Sequence, residues 1–73
     1  MGQTLTHEAE AGAVLRAARV KKGITCRGLA GILGWDHSEL SRIERGQATS
    51  MARYDAIAKA LGMTLVIRFR RAA

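Results

Sequence analysis

The fold is decided by the stretch LAGILGW at residues 29–35, together with the stretch LSRIERG at residues 40–46. In the first stretch, Leu29, Ala30 and Leu33 occupy positions i, i+1 and i+4, which share one face of a helix. In the second stretch, two apolar residues three positions apart share a face in the same way. The pattern therefore predicts two short helices in succession, each with one apolar face.

The residues between these helices predict a tight turn. Gly34 suits the left-handed backbone conformation that ends a helix abruptly. Asp36 is expected to cap the second helix, with Glu39 as its reciprocal capping-box partner. The small side chain of Ala30 lies where the two helices approach most closely. This spacing is typical of a helix-turn-helix, whose second helix enters the major groove of DNA.

Length and composition indicate one small domain. A chain of 73 residues builds a core that is only marginally sufficient, and many of its hydrophobic residues are alanines. Only three residues are aromatic, namely Trp35, Tyr54 and Phe69, so composition alone suggests a partner subunit. The sequence shows no membrane-spanning run and no signal peptide, and its single cysteine, Cys26, fits a reducing cytoplasm.

The charge balance indicates a polyanionic partner. Twelve Lys and Arg residues against six Asp and Glu residues give a formal net charge of +6, which favours DNA once it is combined with the helix-turn-helix spacing. Catalysis has little support, because the carboxylates form no paired arrangement and His7 and His37 are far apart in the chain. No glycine-rich phosphate loop is present. We therefore expect no enzyme activity, no cofactor and no metal.

Capping and terminating residues divide the chain into helices. Tyr54, Ile57, Ala58 and Leu61 give the last helix an i, i+3, i+4, i+7 apolar face. We predict an all-α, compact helix bundle within residues 1–62. Its helices are expected to run from a cap at Thr6 to Gly23, from a cap at Thr25 to near Leu33, from about His37 to Arg45, and from a cap at Ser50 to Gly62.

The C-terminal residues 63–73 change from a helical to an alternating period. Apolar residues at every second position, several of them β-branched, predict a strand. A single strand leaves backbone groups unpaired, so we expect it to pair with the same strand of a second copy across a twofold axis. The alternative is a tail that packs on its own helices or stays disordered. The residues assigned to this dimerisation strand are Met63, Leu65, Val66, Ile67 and Phe69.

Several motifs span the chain from about Leu15 to Leu61, namely Leu15-Arg16-x-x-Arg19, Lys22-Gly23-Ile24-Thr25, Leu29-Ala30-x-x-Leu33-Gly34, Leu40-Ser41-Arg42-Ile43-Glu44-Arg45-Gly46 and Ile57-x-x-Ala60-Leu61-Gly62. With them the chain resembles the phage-repressor (Cro-type, or XRE) helix-turn-helix family. The resemblance implies four or five helices, of which the second and third read DNA, and an ion pair between Arg19 and Glu44. A half-buried carboxylate beside the core does require a cation.

The chain departs from the pattern of that family at Cys26 and at Trp35, and it lacks the proline that is frequent just before the fourth helix. Cys26 stands where many members have a glutamine that touches a phosphate, and a thiol is a weak donor. Because Arg27 is adjacent, a redox-sensing thiol is one interpretation, and a half-buried inert thiol is the other. Trp35 replaces a small aliphatic residue in the turn. It is interpreted as a core residue, with stacking on DNA as the alternative.

The resemblance also implies which residues contact DNA. The base readers carried across from the family pattern are His37, Ser38, Glu39 and Arg42, at the start of the second helix of the motif. Arg42 can bind guanine O6 and N7, and Glu39 either accepts from cytosine N4 or only caps its helix. For each lysine or arginine, the alternative to a DNA contact is a solvated surface charge. The residues expected at the DNA backbone are Thr25, Arg27, Arg45, Gln47, Ser50 and Arg53.

These interpretations combine into a cytoplasmic, homodimeric, sequence-specific repressor that binds a palindromic operator and regulates its own operon. The tail from Leu61 to Ile67 looks similar to that of antitoxin-type repressors of kinase-toxin (HipB-like) and RNase-toxin (HigA-like) modules, which implies a cognate toxin as a further partner. One alternative is a phage, phage-defence or restriction–modification regulator of the same fold. Another is an interaction module that sequesters a partner protein and binds DNA only secondarily.

Overall fold

The computed structural model describes residues 8–66, and this part of the chain consists of helices joined by short loops. The all-α prediction is confirmed for the described residues. The helices are α1 at Glu8–Lys21, α2 at Cys26–Leu33, α3 at His37–Glu44 and α4 at Met51–Ala60. The predicted cap at Thr6 lies outside the described residues.

Two of the predicted helix caps are confirmed. The hydroxyl of Thr25 accepts a hydrogen bond from the backbone N–H of Gly28 at 3.0 Å, which satisfies one of the free donors at the start of α2. The hydroxyl of Ser50 does the same for Arg53 in α4, at 3.2 Å. Because each cap depends on one side chain and the next turn of backbone, the sequence alone was enough to predict it.

The capping box predicted at the start of α3 is wrong. Asp36 occupies the N-cap position, but its side chain makes no capping hydrogen bond. The carboxylate of Glu39 instead lies 3.6 Å from a guanidinium nitrogen of Arg53 in α4. The Glu39 carboxylate faces a cation of α4 instead of the N–H at the N-cap, so it does not act as the reciprocal partner of Asp36.

The core lies where the four helices meet. Leu29, Leu40, Ile57 and Leu61 are its largest fully buried side chains. The apolar face predicted for α4 is therefore confirmed, and Trp35 packs against the core from the turn between α2 and α3, as predicted. The remaining members of the buried cluster are Leu15, Ala30, Ile43, Tyr54 and Ala58.

A glycine sets the distance between α1 and α3. Gly12 is buried in the middle of α1, and a Cβ atom built on it would overlap the backbone carbonyl oxygen of Ile43. Only a residue without a side chain allows α1 to rest directly on the backbone at the end of α3. The sequence analysis did not single out this residue.

Beyond α4 the chain returns toward the core. Gly62, at a φ of 72°, ends the helix, and the N–H of Met63 donates to the carbonyl of Ala58 at 2.8 Å. Met63 and Leu65 pack against the core, whereas Val66 is 66% exposed. No strand occurs among the described residues, and the predicted strand continues through Ile67 and Phe69, outside them. The strand and the dimer it would form therefore remain predictions.

Candidate nucleic-acid interface

The turn between α2 and α3 orients α3 on the surface. Gly34 has a φ of 74°, the left-handed conformation predicted for it. The N–H of Trp35 donates back to the carbonyl of Ala30 at 2.9 Å, which closes the end of α2. Ala30 and Leu40 are both buried between the two helices. Because these contacts bury one face of α3, the opposite face is exposed on the surface of the domain.

That outer face of α3 carries most of the residues predicted to read bases. His37, Ser38 and Arg42 are exposed, and Glu39 is half-buried beside them. Arg42 lies one turn beyond Ser38 and Glu39, so its guanidinium leaves the helix on the same side. Ser38 and Arg42 thus share one side of α3, with His37 and Glu39 flanking Ser38 in the first turn and Arg42 in the last turn.

The first turn of α3 is held by a contact that the sequence analysis missed. The guanidinium carbon of Arg53 lies 4.9 Å from the ring centroid of Trp35, a cation–π distance. A nitrogen of the same guanidinium lies 3.6 Å from the Glu39 carboxylate. Arg53 therefore joins α4 to both the turn and α3. No local pattern signals such a contact, because its three residues belong to three different elements.

The predicted backbone-contact residues lie around α3. Thr25 and Arg27 are exposed at the start of α2, and Arg45 and Gln47 are exposed directly after α3. Ser50 is also exposed, at the start of α4. The backbone N–H groups in the first turn of α2 and α4 point out of the helix ends, where anions bind well.

Arg19 and Glu44 form a buried, two-pronged ion pair behind α3. Arg19 Nε donates to Glu44 Oε2 at 2.7 Å, and Arg19 Nη2 donates to Glu44 Oε1 at 2.9 Å. Arg19 Nη1 donates to the carbonyl of Ile24 at 2.8 Å. The hydrogen bond with Glu44 raises the pKa of Arg19 above its ordinary value, so the guanidinium stays charged. One side chain thus ties α1, the α1–α2 loop and the end of α3 together.

A groove beside this ion pair contains Cys26. The groove is lined by Arg16, Ser41 and Arg45, and the ion pair of Arg19 and Glu44 also borders it. The Cys26 thiol lies 3.6 Å from the backbone carbonyl of His37, to which it can donate a weak hydrogen bond. Burial raises the pKa of Cys26, and the Glu44 carboxylate raises it further. These surroundings favour an inert thiol over an activated one.

The described residues offer little for other kinds of site. They contain no group of three or more His, Cys, Asp or Glu side chains arranged to hold a metal ion. Within the same part of the chain, none of the helices has both the length and the apolar character needed to span a bilayer. The feature that stands out is the exposed, positively flanked outer face of α3.

Comparison with known proteins agrees with this geometry. Residues 10–68, well over half of the chain, match the family described as the helix-turn-helix domain. The matched segment includes the whole of α2, α3 and α4 and most of α1. A search of curated proteins found no match.

Proposed function

The chain belongs to the helix-turn-helix domain family, and from this premise we propose that it is a homodimeric, sequence-specific transcriptional repressor. It binds double-stranded DNA at a palindromic operator and regulates its own operon. Repression is steric: two copies of α3 occupy successive major grooves and block the polymerase.

The observation that carries this proposal is the exposed face of α3. His37, Ser38 and Arg42 project from a helix whose other face is buried in the core, so their positions are fixed before DNA arrives. Arg42 is the principal reader, because its guanidinium can donate two parallel hydrogen bonds to guanine O6 and N7. His37 and Ser38 supply donors and acceptors to neighbouring bases or phosphates.

Phosphate contacts hold the domain in register on the duplex. Arg27 lies in the first turn of α2, and Arg45 and Gln47 follow α3, so polar and positive groups lie beyond both ends of the reading surface. Thr25 and Ser50 cap the helices whose first N–H groups would bind the phosphates. Each phosphate contact steepens the log–log salt dependence of binding by roughly 0.9.

A dimer is part of the proposal because one short helix reads only a few base pairs. In the proposed dimer, the C-terminal strands of the two copies pair about a twofold axis. The residues of this strand are Met63, Leu65, Val66, Ile67 and Phe69. Support comes from the 66% exposure of Val66, an apolar side chain that the described part of the chain leaves uncovered. Twofold symmetry then requires half-sites about 34–36 Å apart, or a multiple of that distance.

Among repressors of this kind, we propose that the protein is an antitoxin, whose partner is a toxin encoded by a neighbouring gene. A phage, phage-defence or restriction–modification regulator has the same fold and the same DNA chemistry. Genes next to this one discriminate between these roles, since each role implies a different neighbour. Intracellular, nucleoid-associated localisation follows from DNA binding.

Selection of bound sites from a random DNA pool, with the purified full-length protein, tests the proposal. We expect enrichment of a palindrome with one fixed half-site spacing. A flat enrichment that disappears with salt would mean that the positive charge binds DNA without reading it. That outcome would reject the repressor and favour the alternative of an interaction module that sequesters a partner protein.

A further inference from the structure

We infer that Arg53 is a positioning residue for base reading, which holds and neutralises the Glu39 carboxylate so that Glu39 can select a base pair. The inference rests on the proposed function, in which α3 reads the major groove. It replaces the phosphate contact that the sequence predicted for Arg53. The base preference opposite Glu39 would then depend on a residue in another helix that itself touches no base.

The contact between Arg53 and Glu39 leaves the carboxylate available to DNA. At 3.6 Å it is an ion pair, but it is longer than a good hydrogen bond between nitrogen and oxygen. The carboxylate is therefore held by charge while its acceptor sites stay open. The Glu39 side chain is 38% exposed at the start of α3, so it can still accept a hydrogen bond from the N4 amino group of cytosine.

The guanidinium of Arg53 is held against the aromatic ring of Trp35. Trp35 packs against the core, and the guanidinium of Arg53 stacks on its ring at 4.9 Å. The backbone of Arg53 is held as well, because its N–H donates to the Ser50 hydroxyl. The Arg53 side chain is 41% exposed, so stacking on Trp35 is what restricts its guanidinium, and a restricted guanidinium in turn limits the positions of the carboxylate beside it.

The charge of Arg53 also offsets that of Glu39. A carboxylate at the reading end of α3 would be repelled by the phosphates of the DNA, and this like-charge penalty would oppose binding at every sequence. Arg53 reduces that penalty, because its positive charge lies 3.6 Å from the Glu39 carboxylate before DNA arrives. The same contact explains why Glu39 is not used as the capping partner of Asp36.

The test compares site selection by the wild-type protein, Arg53→Ala, Glu39→Gln and the double variant. We expect Glu39→Gln to relax the preference at one position of each half-site by about tenfold, the loss of one good base contact. Arg53→Ala should relax the same position, and the double variant should be no worse than the poorer single variant. The control is Lys59→Ala, which removes the cation of a different exposed ion pair in α4, the pair between Lys59 and Asp55. This change should leave the base preference at every position of the half-site unchanged.

The outcomes separate this inference from the proposed function. If Arg53→Ala keeps every base preference and lowers the log–log salt slope by roughly 0.9, then Arg53 is a phosphate contact and the inference is wrong. A base preference that survives Glu39→Gln rejects it too. If the wild-type protein enriches no site, the proposed function fails and this inference fails with it. Should Arg53→Ala melt below the assay temperature, Arg53→Gln makes the same test, because it keeps much of the side-chain stem that packs on the domain but removes the charge.

Discussion

The Arg19 guanidinium and the Glu44 carboxylate face each other across two hydrogen bonds, 2.7 Å and 2.9 Å long, in the interior of the domain. This pair joins α1 to the last turn of α3, the helix that we propose reads DNA. A third hydrogen bond from the same guanidinium, to the carbonyl of Ile24, extends the connection to the start of the helix-turn-helix. The orientation of α3 thus depends on a contact on the side opposite to its exposed residues.

Removing the carboxylate should therefore destabilise the whole domain. We expect Glu44→Ala to lower the free energy of unfolding by roughly 3–5 kcal/mol, because it leaves the Arg19 charge buried without its partner. The paired replacement Arg19→Met with Glu44→Leu should cost less than Glu44→Ala alone, since it buries no charge. Urea unfolding followed by circular dichroism measures both. An unchanged unfolding midpoint in Glu44→Ala would contradict this role for the pair.

The close contact of α1 with α3 predicts a large effect of a single methyl group. Gly12→Ala should destabilise the domain by about 1–3 kcal/mol or more, because the new Cβ would overlap the backbone of Ile43. The matched control is Gly31→Ala in α2, where a Cβ would meet no atom within 4 Å. That change should stabilise the domain by about 0.5–1 kcal/mol through the better helix propensity of alanine. Equal melting temperatures for the two variants would reject the packing argument.

The surroundings of Cys26 predict a sluggish thiol. Its pKa is raised by burial and by Glu44, so a smaller fraction is thiolate near neutral pH than in the unfolded chain. We expect iodoacetamide to modify the native protein more slowly than the urea-unfolded protein, with the gap narrowing as pH rises through the raised pKa. Faster modification of the native protein near neutral pH would instead indicate an activated, redox-sensing cysteine.

The proposed dimer makes a prediction for Val66. Val66→Asp should raise the dissociation constant of the dimer by about tenfold or more, because the twofold axis places a new charge in each paired strand. The control is Ile32→Asp in α2, which changes an apolar residue that is also 66% exposed. Light scattering across a range of concentrations gives the dimer fraction. A dimer weakened by Ile32→Asp but not by Val66→Asp would place the interface elsewhere.

Much of the local structure could be predicted from the sequence, because few residues decide each feature. A hydroxyl before a helix makes the caps at Thr25 and Ser50, and a glycine makes the turn at Gly34. The apolar spacing in α4 is enough to place Ile57 and Leu61 in the core. Each of these features is settled within about one turn of the chain.

Contacts between helices were the part that could not be predicted. In the capping box predicted at Asp36, the Glu39 carboxylate pairs with Arg53 of α4 instead, and no residue near Glu39 in the sequence indicates that contact. The approach of α1 to Ile43 did leave a signal: a glycine in the middle of a helix is costly unless close packing requires it. Gly12 therefore indicates that another element packs closely on α1, but it does not indicate that this element is α3.

The most direct test of the central claim is the specificity ratio, defined as the dissociation constant for a scrambled duplex of the same composition divided by that for the selected operator. Fluorescence anisotropy at one fixed salt concentration gives this ratio for the wild-type protein, for Arg42→Ala and for a control, Lys21→Ala, at the end of α1. We predict that Arg42→Ala lowers the ratio by about tenfold or more, the loss of a bidentate contact to guanine, and that Lys21→Ala leaves it unchanged. A ratio that Arg42→Ala does not alter would contradict the claim that α3 reads the operator.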